Sequence, residues 1–178
     1  MTRVERRTSE TAVTVVLNVG TGTAKVSTGV PFLDHMMIAL ARYSDIDMEI
    51  SATGDLKHHT IEDVAIALGE SFARMLPAKC ARYGASTVPM DEALVQVSID
   101  AGGRPYYQGP LPSSLYEHWM RSFADNAKIT LHIQVLRGTD RHHIVEAAFK
   151  ALGFAIRQAL VETDAVFSTK GGVTLDAT

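Results

Sequence analysis

Cysteine occurs once, at Cys80, which leaves no partner for a disulfide within the chain and fits a reducing cytosol. No run of ~18 apolar residues is present, so no membrane-spanning helix is expected. The opening residues, MTRVERRTSETAVTVV, carry charges but lack the apolar stretch and small-residue cleavage site of a secretory leader. Basic residues are outnumbered, 17 Lys and Arg against 20 Asp and Glu, and form no stripe, which argues against nucleic acid as a partner. With 178 residues, 46% of them apolar, the chain suits one compact domain or two small units sharing a core. A soluble, cytoplasmic protein is the expectation.

Histidine, by contrast, is concentrated. GDLKHHTIEDVAIALG (54–69) and GTDRHHIVEAAFKALG (138–153) each hold two adjacent histidines followed three residues later by a glutamate. At an offset of 84, His58, His59 and Glu62 fall on His142, His143 and Glu146. At 83, FLDHM meets LYEHW and His35 falls on His118; at 82, ETAVTVVLNVG meets EALVQVSIDAG and Glu10 falls on Glu92. A drifting offset is what short loop deletions between matched elements produce. The chain is therefore read as a tandem duplication, with halves near 1–85 and 86–165.

Periodicity gives each half the same elements. Residues 10–18 and 94–100 alternate as strands, as do 46–52 and 129–135. Residues 31–43 start on Pro31, a favoured first helical residue, and place Leu33, Met36, Met37 and Leu40 at helical spacing. Residues 59–76 and 143–160 show a second amphipathic helix per half. The predicted fold is α+β, a duplicated strand-strand-helix-strand-helix unit whose two sheets flank a layer of helices with two-fold pseudosymmetry.

Side chains four apart on a helix lie within about 40° of one another, whereas neighbours diverge by about 100°. His58 and Glu62 thus share a face and His59 looks elsewhere; His142, Glu146 and His143 repeat the arrangement. With His35 and His118 the set reaches six imidazoles and two carboxylates, suited to two borderline divalent ions such as Mn, Fe or Zn. Helical angles and pseudosymmetry divide them into His35, His59, His142 and Glu146 for one ion, and His58, Glu62, His118 and His143 for the other. His132, on a predicted strand, is read as structural. These ligands leave open a two-metal hydrolase, a metal store, and a shell protein whose ions only join subunits.

The segments FLDHM, HHTIED, PMDEAL, GRPY, HHIVEAAFKAL and STKG occur here in the order found in imidazoleglycerol-phosphate dehydratases, and the resemblance runs from Arg3 to Gly171. It implies dehydration of D-erythro-imidazole glycerol phosphate to imidazole acetol phosphate in histidine biosynthesis, with two Mn2+ ions per site. It implies a single domain over 1–178 ending in a substrate-binding tail, and trimers assembled into a shell of twenty-four subunits with sites between them. Glu10 is implied as acid–base residue with Asp91 nearby in a supporting role; Arg82, Arg104, Ser168 and Lys170 are implied to bind phosphate. The C–H next to the substrate's ring is a weak acid. A metal on each ring nitrogen would give an imidazolate that can relay electrons. This chain departs from the family's pattern before the first histidine pair, where only Lys57 follows GDL, and between Gly103 and His118, which is short.

Overall fold

The computed structural model describes residues 1–164. In chain order the first half holds β1 (Thr2–Arg7), β2 (Thr11–Val19), β3 (Ala24–Ser27), α1 (Pro31–Ser44), β4 (Ile46–Gly54) and α2 (Lys57–Met75). The second holds β5 (Tyr83–Met90), β6 (Ala93–Asp100), β7 (Tyr106–Gln108), α3 (Ser114–Ala127), β8 (Thr130–Arg137) and α4 (Arg141–Ala159). Each half forms a four-stranded sheet with the same order, β1-β2-β4-β3 and β5-β6-β8-β7. The outer β3 and β7 run parallel to their neighbours, and the remaining pairs are antiparallel. The duplicated α+β sandwich is as the sequence predicts, with one short strand more before each first helix. At 4 and 3 residues, β3 and β7 are too brief to show a period. The second unit's first strand starts at Tyr83, slightly ahead of the boundary placed at 86.

Alternation fixes which face each strand buries. Val13, Val15 and Leu17 of β2 and Val95, Val97 and Ile99 of β6 turn inward, as do Ile46, Met48 and Ile50 of β4. The helices pack between the sheets: α2 lies on β1 and β2, α4 on β5 and β6, and across the pseudo-two-fold α1 meets α4 while α2 meets α3. Covered on several sides, α4 is buried nearly all round from Ile144 to Ile156. Trp119 fills the centre, fully buried, with its ring 4.7 Å from Phe149 and 5.3 Å from Phe123. Both first helices end on a left-handed non-glycine residue, Asp45 (φ 57°) and Lys128 (φ 56°), which are matched positions in the two halves.

The repeated ALG triplet marks the helix crossings. A Cβ on Gly69 would lie 2.8 Å from the Phe123 carbonyl oxygen, and one on Gly153 would lie 2.7 Å from Tyr43 Cβ. Glycine there lets the backbones of α2 and α3, and of α4 and α1, approach closely. Gly69→Ala gains up to about 1 kcal/mol of helix propensity but pushes α2 off α3. Overpacking of this kind costs about 1–3 kcal/mol and should win. The expected outcome is a lower unfolding midpoint in calorimetry, with the secondary structure retained.

Candidate active site

The cross-half helix contacts bring ligands together. His35 on α1 and His142 on α4 place their Nε2 atoms 3.2 and 3.0 Å from Glu146 Oε2. His58 on α2 and His118 on α3 place theirs 3.6 and 3.1 Å from Glu62 Oε2 and Oε1. In each cluster the three ligand atoms lie within 4.8 Å of one another. Each cluster joins the histidine of one half's first helix to the His-x-x-x-Glu face of the other half's second helix. The imidazoles of His58 and His118 stack at 5.3 Å.

The fit to a divalent cation rests on the donors themselves. Two imidazoles and one carboxylate per cluster, gathered this closely, match borderline metals. The Nε2 atom of His118 is buried yet finds no hydrogen-bond partner among the described residues, although Glu62 is close: its direction is wrong for a hydrogen bond. The clusters are not identical. Burial pushes the Glu146 carboxyl up, but hydrogen bonds from Lys150 (2.9 Å, to Oε1) and His35 prevail and hold it below its usual range. The first half has Ile66 where the second has Lys150.

His59 and His143 stand apart from these clusters, as their helical angles require. The His59 Nδ1 lies 2.8 Å from Asp55 Oδ1 and 3.5 Å from Glu10 Oε2. The His143 Nδ1 lies 2.7 Å from Glu92 Oε2, while its Nε2 is 3.5 Å from Asp91 Oδ2. Of each predicted set of four, three ligands thus meet within one chain; His59 does not reach the Glu146 cluster, nor His143 the Glu62 cluster. Hydrogen bonds donated to the Asp55 and Glu92 carboxylates raise the pKa of His59 and His143 respectively above an ordinary imidazole's.

Glu10 and Glu92 occupy matching places, each immediately before the second strand of its sheet. Asp91 and Glu92 form the two-residue turn between β5 and β6, with Asp91 at φ 47°, an unusual conformation for a non-glycine residue. Glu92 accepts backbone N–H bonds from Asp140 (2.8 Å) and Thr139 (3.2 Å). The Asp140 bond, with His143 and Thr139, holds its carboxyl down to about 2. Glu92, and not Asp91, makes the hydrogen bond to His143, and its alignment with Glu10 in the duplication is the sequence signal for it. Asp55 is not singled out on sequence. Asp63, beside Glu62, faces the other way and ties α2 to the sheet through Arg6 (2.9 Å) and Thr11.

The expected phosphate ligands lie elsewhere. Arg82 (φ 68°) makes a two-point ion pair with Asp100, 2.6 and 2.9 Å, beneath Gly102, where a Cβ would strike its guanidinium. This pairing holds the Asp100 carboxyl below its usual range. Arg104 is exposed, with Nη2 3.7 Å from Asp100 Oδ2. The backbone N–H of Arg82 binds the carbonyl of Ala159 at the end of α4, whereas His142 and Glu146 sit in its first turns. At 1.5 Å per residue the end of α4 is roughly 25 Å from His142 and roughly 20 Å from Glu146. Ser168 and Lys170 lie outside the described residues, as does most of the expected tail. His132 is exposed on β8 with its ring 5.6 Å from Tyr106. No helix among the described residues is long and apolar enough to cross a membrane.

Comparison with known proteins places this geometry. Residues 28–156 match the family described as imidazoleglycerol-phosphate dehydratase. A protein of that name from Clostridium botulinum (strain Hall) is 46% identical over 188 residues, covering 95% of this chain and 96% of its own. One from Thiobacillus denitrificans is 46% identical over 192 residues, covering 96% and 98%. Both alignments are longer than this chain, so they place gaps in it, as loops shorter than the relatives' would. A crystal structure of IGPD from Pyrococcus furiosus in complex with (S)-C348 superposes with a TM-score of 0.88 at 41% identity, covering 96% of this chain and all of that one. A sequence match over most of the length and a shared fold lead to one conclusion: the chain belongs to the imidazoleglycerol-phosphate dehydratases, a family of hydro-lyases.

Proposed function

We propose that the chain removes water from D-erythro-imidazole glycerol phosphate, giving imidazole acetol phosphate for histidine biosynthesis, with two divalent ions, Mn2+ foremost, held by its histidines and glutamates. The observation that carries this reading is the pair of clusters, in which Nε2 atoms from both halves converge on Glu146 and on Glu62. When bound, the ions would supply Lewis acidity to the substrate's ring nitrogens, favouring loss of the ring N–H proton and so an electron-rich ring that can expel hydroxide from the carbon attached to it.

The chain's residues divide the remaining work. His35, His142 and Glu146 hold one ion and His58, Glu62 and His118 the other. His59 and His143 complete these sets from neighbouring copies, since neither reaches its set within one chain. Glu10 takes the proton from the second carbon out from the ring while hydroxide leaves the carbon attached to the ring; proton and hydroxide depart as water, and the resulting enol moves its hydroxyl proton to the ring-attached carbon to give the ketone. Asp91, near His143, orients rather than transfers. Arg82 and Arg104 bind the phosphate with Ser168 and Lys170; guanidinium forks match phosphate oxygens. Roughly 20–25 Å along α4 between the Arg82 backbone and the Glu146 cluster exceeds a three-carbon phosphate ester. One substrate can therefore touch both groups only if they come from different copies, which supports self-association. The family's trimer-based shell of twenty-four subunits is the assembly proposed, and the cytoplasm its location.

The test is conversion of imidazole glycerol phosphate to the keto product by Mn2+-loaded protein, against a panel of esters and amides. Turnover of the panel without dehydration would overturn the reading in favour of a hydrolase. Arg104→Ala is expected to raise KM by about 10-fold or more with a smaller effect on kcat, as loss of a charged contact to the phosphate end predicts.

A further inference from the structure

We infer that Asp55 and Glu92 are positioning residues: each holds an outer histidine, His59 or His143, by Nδ1 and so presents its Nε2 to an ion. The inference rests on the metal-site reading above and adds to it two residues outside the ligand set. A carboxylate accepts but does not donate, so the proton of the neutral imidazole sits on the nitrogen that faces it. That leaves the lone pair on Nε2, and a carboxylate behind a ligating histidine also increases its basicity.

The two halves reach this result from different places. In the second half, Glu92 comes from the β5–β6 turn, far from His143 in sequence. Duplication would give the same task to Glu10, yet Glu10 is 3.5 Å from His59 and makes no hydrogen bond to it. Asp55, four residues before His59, has taken the position at 2.8 Å. It can do so because only Leu56 and Lys57 separate it from the histidine pair, so it stands one helical turn below His59.

The oxygens are used differently, and this makes the roles separable. Asp55 accepts from both the Leu56 N–H (2.6 Å) and His59 through one oxygen, Oδ1. Glu92 uses both: Oε1 takes the Thr139 and Asp140 N–H groups and Oε2 takes His143. An asparagine at 55 can keep its oxygen where Oδ1 is. A glutamine at 92 must turn its NH2 either toward two backbone donors or toward His143 Nδ1, and so loses one side of the hold.

The experiment titrates Mn2+ calorimetrically into the metal-free full chain and follows the ring nitrogens of His59 and His143 by 15N NMR. Asp55→Ala and Glu92→Ala are expected to weaken Mn2+ binding by about 10- to 100-fold. In both, the ring signal is expected to move away from the Nδ1–H form. Asp55→Asn restores most of the affinity; Glu92→Gln does not. Alanine variants that bind Mn2+ as tightly as the wild type, or a Glu92→Gln that recovers as fully as Asp55→Asn, would overturn the inference. A wild-type chain that takes up no Mn2+ would instead overturn the metal-site reading, and this inference with it.

Discussion

Replacing Glu10 with glutamine is expected to lower kcat by about 10²–10⁴-fold while Mn2+ uptake and substrate binding stay near those of the unaltered chain. The substitution removes the ability to take a proton and little else. The duplication supplies the control, because Glu92 occupies the matching position in the second half. Glu92 is pinned by two backbone N–H groups and His143, and at about 2 its carboxyl is a poor base. Among the described residues the Glu10 side chain accepts no hydrogen bond; it is half exposed and lies 3.5 Å from His59. It is the carboxylate of the pair left available to move a proton. Steady-state kinetics on the keto product check this. Near-normal turnover would mean the base is elsewhere, with Asp91, 3.5 Å from His143 Nε2, the next residue to replace.

Chelation is expected to shift the particle toward smaller species without unfolding the subunit. Each cluster gathers three candidate ligands within the chain, while His59 and His143, paired through Nδ1 with Asp55 and Glu92, lie outside both. An ion that takes its fourth protein ligand from a neighbour adds its binding free energy to the subunit contact, so loading and assembly are linked. The apolar core is centred on Trp119 and Phe149; Glu146, a buried ligand beside it, keeps Lys150 as a partner when its ion is removed, so the fold is expected to outlast the ions. His59→Ala combined with His143→Ala should mimic chelation. Light scattering on stripped and Mn2+-restored protein measures the effect. Equal masses, with activity lost only in the stripped sample, would show that the ions serve chemistry alone.

The sequence made the helices and the inner ligand clusters legible because both depend on local spacing. The matched helices agree residue for residue: α1 and α3 at the offset of 83, α2 and α4 at 84. A four-residue separation on a helix sets the His58–Glu62 and His142–Glu146 pairs whatever the rest of the chain does. What spacing does not carry is tertiary register. The Glu92–His143 contact depends on where the β5–β6 turn meets the start of α4. Arg82 meets Asp100 because β5 and β6 pair antiparallel with Tyr83 opposite Asp100. On sequence Arg82 is read by resemblance as a phosphate ligand; in the fold it is half of a partly buried ion pair with Asp100.

Neither half owns a complete cluster. A solitary ancestral unit would carry the lone histidine and the His-x-x-x-Glu face but could unite them only by pairing with its twin, and twins make two equal clusters. Within one polypeptide the two clusters need not be equal. Lys150 neutralises one oxygen of Glu146, whereas Ile66 stands at the corresponding place and Glu62 turns both oxygens to imidazoles. A cation approaching the Glu62 side meets an uncompensated carboxylate; one approaching the Glu146 side meets a carboxylate already shared with an ammonium group. Under the metal reading proposed above, filling is therefore expected to be stepwise, with the Glu62 side first, so that at limiting metal the two halves differ in occupancy as well as in sequence.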